Sequence, residues 1–281
     1  MIDVSIILVN FNTCQLTIQA ITSIYKYTNR IKFEIIVVDN NSNDNSVEQI
    51  QFLFPEIRII KNNKNIGFGR ANNEGIKIAK GEYIFLLNTD AYLLNNAIEI
   101  FYDFMENQNN EDAAVVGGTL CTPDEGWNVS FGYFPNFKRF VKGSFWRHFF
   151  RKSFYQDSDF TPIVEDDINP FLVDYVSGAD FFIRKKVLDK VGLFDNSFFM
   201  YFEETELTCR IKKRIKNAKV YMIPQARIVH IGKGSSLEST KGVKFKLQYL
   251  KSKSNYFRIQ DGPMAGFMVY TRGLVTVFFN Y

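Results

Sequence analysis

A handful of short stretches carry the side chains of this chain that could do chemistry. Gly81 to Asp90 reads Gly-Glu-Tyr-Ile-Phe-Leu-Leu-Asn-Thr-Asp, a run of large apolar residues that stops in three polar ones and closes on a carboxylate. Such a run, ended by a turn signal, describes a strand buried on both faces, as in the middle of a parallel sheet. Ligands of open α/β sheets bind just beyond the carboxyl ends of these strands. Asp90 falls there, where a metal, a phosphate or a sugar would be handled. For Asp90 alone, a turn or N-cap residue ahead of a helix from about Asn95 is the simpler reading.

Other strand ends add polar groups. Asn10-Phe11-Asn12 closes one apolar run and Asp39-Asn40-Asn41-Ser42 another. Asp39 can accept from the imide N–H of a pyrimidine base, and the Asn-rich turn offers further donors and acceptors; Ser42 or Asp44 could equally cap the next helix. Asn65-Ile66-Gly67-Phe68-Gly69-Arg70-Ala71-Asn72-Asn73 lacks the third glycine of a dinucleotide fingerprint and follows the third strand, not the first. It reads better as a glycine-permitted turn into a helix whose amino end, with Arg70, faces anionic oxygen. Phe198 to Phe202 is an aromatic run followed by Glu203, Glu204 and Glu206, which suits a general base walled off from water. An acid-rich helix start, with Glu206 paired to Arg210 four residues on, fits the same residues. His230, at a strand end before Gly and Ser, could ligate a divalent cation or be structural.

The elements that must hold these groups alternate cleanly in the first third. Val4–Val9, Phe33–Val38, Ile57–Ile60 and Tyr83–Leu87 read as strands, with helices over Leu16–Tyr27, from Ser46 and over Ala71–Ala79. That alternation implies βαβ units and an α/β fold around a mostly parallel sheet flanked by helices. Ala113–Leu120 and Tyr175–Ile183 extend the strand set, helices follow near Lys185–Val191 and Glu203–Ile215, and short strands over Val220–Ile223 and Ile228–His230. A helix from Val243 to Phe257 closes the pattern. At 281 residues, 46% hydrophobic and net charge +4, the chain suits one large globular unit. No apolar stretch is long enough to span a bilayer; Met264–Phe279 is short and carries Arg272. Cys14, Cys121 and Cys209 are too few and too scattered for a disulfide framework or a zinc motif, and a reducing cytoplasm is the simplest compartment. The sequon Asn128-Val129-Ser130 is read as chance.

In order and spacing these residues resemble the GT-A-fold, inverting glycosyltransferases of family 2, particularly the bacterial rhamnosyltransferase-like branch. The resemblance rests on Val9–Asn12, Val37–Ser42, Asn65–Phe68 with Asn73, Leu87–Asp90, Ser177–Ala179, Gly192–Asp195, Glu203–Leu207 and His230–Ser236. It implies a Rossmann-like glycosyltransferase domain over residues 1–236: a nucleotide-sugar-binding half (1–120), a variable aromatic and basic insertion (121–170) and an acceptor and catalytic-base half (171–236). A C-terminal helical segment (237–281) follows. The implied roles are Asp39 on the donor's base, with Asn10, Asn12, Asn41, Gly67, Arg70, Asn73 and Asn88 around the donor. Asp90 and His230 would bind Mn²⁺ or Mg²⁺ through the donor diphosphate, and Glu204 would be the catalytic base. Two positions depart from the family pattern: Asn88 stands where the first Asp of an Asp-X-Asp triplet is expected, and Glu204 where Asp is usual.

The implied reaction moves a sugar from a nucleotide-sugar donor (dTDP-rhamnose or a UDP-sugar) to a glycan or lipid-linked acceptor in bacterial cell-surface polysaccharide synthesis, with inversion. A catalytically inactive sugar-nucleotide-binding assembly protein is the alternative. A nucleotidyltransferase would need a Gly- and Arg/Lys-rich loop where Asn10–Thr13 stands. From Phe131 to Phe160, seven aromatics from Phe134 to Phe150 alternate with Lys and Arg, which suits either peripheral contact with the inner face of the plasma membrane or packing on the body. No nucleic-acid fold signature accompanies it, and nothing in the sequence fixes an oligomeric state.

Overall fold

The computed structural model describes residues 1–124, 126–138, 140, 169–232 and 242–279. The amino-terminal units run β1 (Val4–Asn10), α1 (Cys14–Tyr27), β2 (Phe33–Asp39), α2 (Ser46–Leu53), β3 (Arg58–Lys61), α3 (Phe68–Ile78) and β4 (Tyr83–Leu87). They continue with β5 (Ala91–Leu93), α4 (Ala97–Glu106), β6 (Ala113–Cys121), β7 (Phe131–Gly132), β8 (Phe171–Leu172), β9 (Tyr175–Val176) and β10 (Asp180–Arg184). Then come α5 (Lys185–Val191), α6 (Glu203–Arg214), β11 (Lys219–His230), α7 (Val243–Asp261) and α8 (Pro263–Phe279).

One sheet carries the order β3-β2-β1-β4-β10-β6-β11-β5, with β8 beside β11. β3, β2, β1 and β4 are mutually parallel, as the sequence alternation predicts. β10 runs antiparallel to both of its neighbours, while β6 and β11 pair in parallel. The five residues of β4 show why that strand had to be apolar throughout. Tyr83, Phe85 and Leu87 enter a core with Ile21 and Ile24 of α1 and Phe101 of α4. Ile84 and Leu86 enter the opposite one with Ala71 and Ile76 of α3 and Leu207 and Ile211 of α6. Each face of the strand is thus covered by helices.

Four expectations about elements change. Tyr175–Ile183 is not one strand: it breaks at Ser177–Ala179, and β9 pairs with β7 in a separate two-stranded sheet. The two short strands over Val220–His230 are one, with a register shift between Ile223 and Arg227. Pro224 sits in that shift, where a ladder N–H is dispensable. Asp90 leads directly into β5, and the helix expected near Asn95 begins at Ala97. The closing helical segment is a hairpin, α7 and α8, over a third cluster of Phe198, Phe202, Tyr256, Phe257, Ala265 and Val269.

Candidate active site

β1 is flanked by β2 on one side and β4 on the other, so the chain reverses its direction of growth between β1 and β4. The crevice outside the carboxyl ends of these strands is the switch point at which open α/β sheets bind ligands. Asn10 ends β1, Asp39 ends β2, and Asn88–Asp90 follow β4. The Asn10 amide N–H donates to Asp39 Oδ1 (2.7 Å) and to the Ser42 hydroxyl (2.9 Å), and the backbone N–H of Ser42 donates to Asp39 Oδ2 (3.0 Å). These bonds aim the carboxylate. Asn12 and Asn41 are the left-handed residues of the two turns, with φ of 55° and 68°, conformations Asn tolerates better than most residues. Asn12 Oδ1 takes the N–H of Asn43 (2.7 Å), tying one turn to the other.

The β1 and β4 ends are joined as well. The Thr13 hydroxyl lies 2.8 Å from Asn10 Oδ1 and 3.0 Å from the Thr89 hydroxyl. Asn10 itself is 0% exposed, and its amide N–H is spent on orienting Asp39 and Ser42. Thr13 and Thr89 have no role assigned from the sequence, and Ser42 only that of a candidate helix cap. Small hydroxyl residues at strand ends were the available signal.

Asp90 and His230 lie far apart in sequence and meet because β5 pairs with β11, placing Ala91 opposite His230. His230 Nε2 lies 3.4 Å from Asp90 Oδ1 and 3.3 Å from Asn88 Nδ2. The Asn128 amide donates to the His230 carbonyl (3.0 Å), and Ile231 N–H to the Asp90 carbonyl (2.9 Å). The sequon residue therefore anchors the histidine, a role its sequence context did not signal. A carboxylate and an imidazole at this separation can share one divalent cation, with remaining positions left to phosphate oxygens and water. Among the described residues no group of three or more His, Cys, Asp or Glu side chains is placed to hold a metal ion, so a cation here would depend on such outside ligands.

The acidic helix start separates into three distinct roles. Glu206 is buried and bridges Arg210 at 2.7 Å, the pairing that its spacing allowed. Arg210 also donates to the carbonyls of Val191 and Leu193 (both 2.8 Å), bracing the loop before α6. Glu203 is 3% exposed, with one carboxylate oxygen lacking a partner, and burial followed by the charge of Glu204 pushes its pKa well up. Glu204 is partly exposed, and desolvation raises its pKa as well. Of the two, only Glu204 is reachable from outside. A Cβ on Gly178 would lie 3.5 Å from the Phe68 ring and 3.9 Å from Glu204 Cγ. The next residue, Ala179, accepts the backbone N–H of Asn88 (3.1 Å). The Ser177–Ala179 break thus ties Glu204 to the Asn88–Asp90 triplet.

Three expected donor contacts are occupied otherwise. Asn73 donates to the Phe194 carbonyl (2.9 Å) and accepts the Phe194 N–H (3.0 Å). Arg70 donates to the Asn196 carbonyl through Nε (2.7 Å) and through Nη2. Gly67 has φ of 90°, and a Cβ there would lie 2.3 Å from the Phe199 carbonyl oxygen, which the Phe68 N–H donates to. The amino end of α3 therefore meets the carbonyls of the 194–199 loop where anionic ligand oxygen was expected. The loop leads into α6, and both pack on α3: a Cβ on Gly69 would lie 3.2 Å from Phe194 Cβ and 3.5 Å from Glu203 Cβ. Part of the aromatic insertion also packs inward. Phe134 stacks on Tyr175, and Phe137 and Phe140 pack on Phe257. Residues 139 and 141–160 of that stretch and 233–236 of the His230 segment lie outside the described residues.

A protein-family model described as Glycosyl transferase family 2 matches residues 5–192. The chain is 33% identical over 125 residues to glycosyltransferase GlyG of Streptococcus pneumoniae serotype 4, covering 43% of this chain and 40% of that protein. It is 26% identical over 212 residues to the N-acetylglucosaminyl-diphospho-decaprenol L-rhamnosyltransferase of Mycobacterium tuberculosis, covering 70% and 66%. The chain thus spans less than half of the pneumococcal protein's length. Among solved structures, GalNAc-T7 with UDP, GalNAc and Mn²⁺ superposes with a TM-score of 0.66 at 14% identity, covering 94% of this chain and 51% of that one. At that identity the likeness shows the fold alone.

Proposed function

The chain belongs to glycosyl transferase family 2 and has its GT-A fold, and from that premise we propose that it is an inverting, metal-dependent sugar transferase. The donor is a nucleotide sugar, dTDP-rhamnose or a UDP-sugar, and the acceptor a hydroxyl of a glycan or lipid-linked glycan in cell-surface polysaccharide synthesis. The lipid-linked acceptor and rhamnose follow the mycobacterial relative's name. What supports the reading is the meeting of Asp90, His230 and Asn88 beyond the carboxyl end of β4, with Glu204 adjoining them through Gly178 and Ala179.

Asp39, aimed by Asn10 and Ser42, accepts from the imide N–H of the donor's base, between the turns at Asn12 and Asn41. Asp90 and His230, with Asn88 beside them, would hold Mn²⁺ or Mg²⁺ against the diphosphate; the imidazole favours Mn²⁺. When bound, the cation offsets the negative charge that builds on the leaving nucleoside diphosphate. Glu204, its pKa raised by desolvation, takes the proton of the acceptor hydroxyl as that oxygen attacks the anomeric carbon. A single displacement inverts that carbon. Glu203, sealed from solvent, is not a rival base.

The test begins with a thermal-shift screen of dTDP-, UDP- and GDP-sugars with Mn²⁺ or Mg²⁺, since a ligand of the native state raises its apparent stability. The stabilising donor is then used in a transfer assay. Glu204→Gln should lower kcat by about a hundredfold to ten-thousandfold with donor affinity retained. Full activity in that variant overturns the base assignment. Donor binding by the wild type with neither transfer nor hydrolysis assigns the chain to the inactive, sugar-nucleotide-binding class instead.

A further inference from the structure

The α7–α8 hairpin has a surface that neither the donor crevice nor the base explains. Helix α8 packs on the third core through Ala265 and Val269, and on α7 through Gly266 and Gly273. A Cβ on Gly266 would lie 2.7 Å from Arg258 Cβ, and one on Gly273 would lie 2.1 Å from a Leu250 methyl. These glycines let the helices touch. The opposite face of α8 carries Met264, Phe267, Met268, Thr271 and Val275, at the spacing of one helical stripe. All five are exposed, Met264 by 71%, Phe267 by 64% and Val275 by 59%. A helix apolar on both faces is ordinarily buried on both, so this stripe is built for an apolar medium.

Its charge surroundings say which medium. On α7, Lys244, Lys251 and Arg258 repeat every seven residues and are exposed, forming one cationic line. Arg258 lies against Gly266, so the exposed Phe267 that follows shares a rim of the hairpin with it. Across both helices there are six basic residues (Lys244, Lys246, Lys251, Lys253, Arg258, Arg272) and one acid, Asp261. The hairpin's net positive charge exceeds the +4 of the entire chain. A second copy docking symmetrically on this face would bring two such charges together. No helix among the described residues is long and apolar enough to cross a membrane.

We propose that the α7–α8 hairpin is a docking surface for an anionic lipid bilayer, lying in the interface with the α8 stripe among the acyl chains and the α7 cations at the headgroups. The surface is separate from the Phe131–Phe160 stretch, whose Phe137 and Phe140 instead brace the hairpin from inside. It is also independent of the transferase reading, because no catalytic side chain takes part.

The experiment is co-sedimentation of the purified chain with vesicles of phosphatidylcholine alone and of phosphatidylcholine mixed with phosphatidylglycerol. The wild type should partition onto the anionic vesicles and weaken with added salt. Phe267→Ser with Val275→Ser, and separately Lys251→Glu with Arg258→Glu, should each lower the partition coefficient by about tenfold or more. Thermal unfolding midpoints should stay within about 2 °C of wild type, since all four side chains are exposed. Absence of vesicle binding by the wild type, or binding unchanged in both folded variants, overturns the proposal. So does a wild-type dimer, seen by light scattering, that Phe267→Ser with Val275→Ser converts to a monomer without any vesicle binding.

Discussion

Replacing Asn73 by Ala separates a structural clamp from a ligand contact. The Asn73 amide is 6% exposed and closes a two-bond ring with the backbone of Phe194, at 2.9 and 3.0 Å. Phe194 is itself buried, and its Cβ would lie 3.2 Å from a Cβ on Gly69, so little room exists for water to replace the amide. Truncation leaves one backbone N–H and one C=O buried and unpaired. Each such group costs about 1–3 kcal/mol, so the two together give a loss centred on about 4 kcal/mol. In a protein of this length, about 2–4 °C of melting temperature goes with each kcal/mol, so the midpoint should fall by roughly 8–16 °C. Scanning calorimetry reads that shift, and titration calorimetry of the folded variant with nucleoside diphosphate and Mn²⁺ reads donor binding. Affinity should stay within about twofold of wild type at a temperature where the variant is folded. A midpoint drop under about 2 °C together with a tenfold loss of affinity would refute the clamp and restore Asn73 to the donor.

Asp90→Ala should abolish the Mn²⁺ dependence of nucleotide binding in calorimetry; affinity that still responds to Mn²⁺ would place the cation elsewhere. Gly67→Ala forces a side chain into φ of 90° and into the Phe199 carbonyl, a backbone group that cannot swing aside. It should cost about 3 kcal/mol or more in urea unfolding, and a loss below about 1 kcal/mol would contradict the close approach. Asp180 is fully buried with one unpaired oxygen, and desolvation raises its pKa well above the usual carboxylate range. Its neutral form is favoured in the fold, so its contribution is complete below the unfolded pKa near 4 and is lost as pH climbs towards the raised folded value. Asp180→Asn, which can still accept the Gly118 N–H, should flatten the fall of stability from pH 5 upwards; an unchanged slope in pH-dependent denaturant melts would show that the charged form is accommodated.

The sequence already contained the strand alternation from β1 to β4, because apolar runs and helical periods are local properties that tertiary contacts reinforce. The two-faced burial of Tyr83–Leu87 was legible for the same reason. So was Glu206 with Arg210, a pairing set by helix geometry alone. The position of Asp90 at a strand end could be read, but its partner could not. β5 is three residues long and exists because β11 lies beside it, and only that pairing carries His230 to Asp90. Likewise, Asn73, Arg70 and Gly67 looked like donor contacts because their residue types suit phosphate and sugar. The 194–199 loop, more than a hundred residues later, takes the hydrogen bonds of Asn73 and Arg70 and packs its Phe199 carbonyl against Gly67.

Residue type and order along the chain determined which chemistry is present: carboxylates, an imidazole and amides at the ends of apolar strands, in an order that resembles one family. Tertiary structure decided which of them are spent on protein partners and how deeply each is buried. Asn10 is sealed beneath Asp39, Glu203 is buried while Glu204 opens beside Gly178, and Asn128 props His230. The physical reason is that a polar side chain has the same hydrogen-bonding capacity wherever it stands. Whether a ligand or the backbone uses that capacity depends on what distant segments bring within 3 Å, and that is not a local property of the sequence.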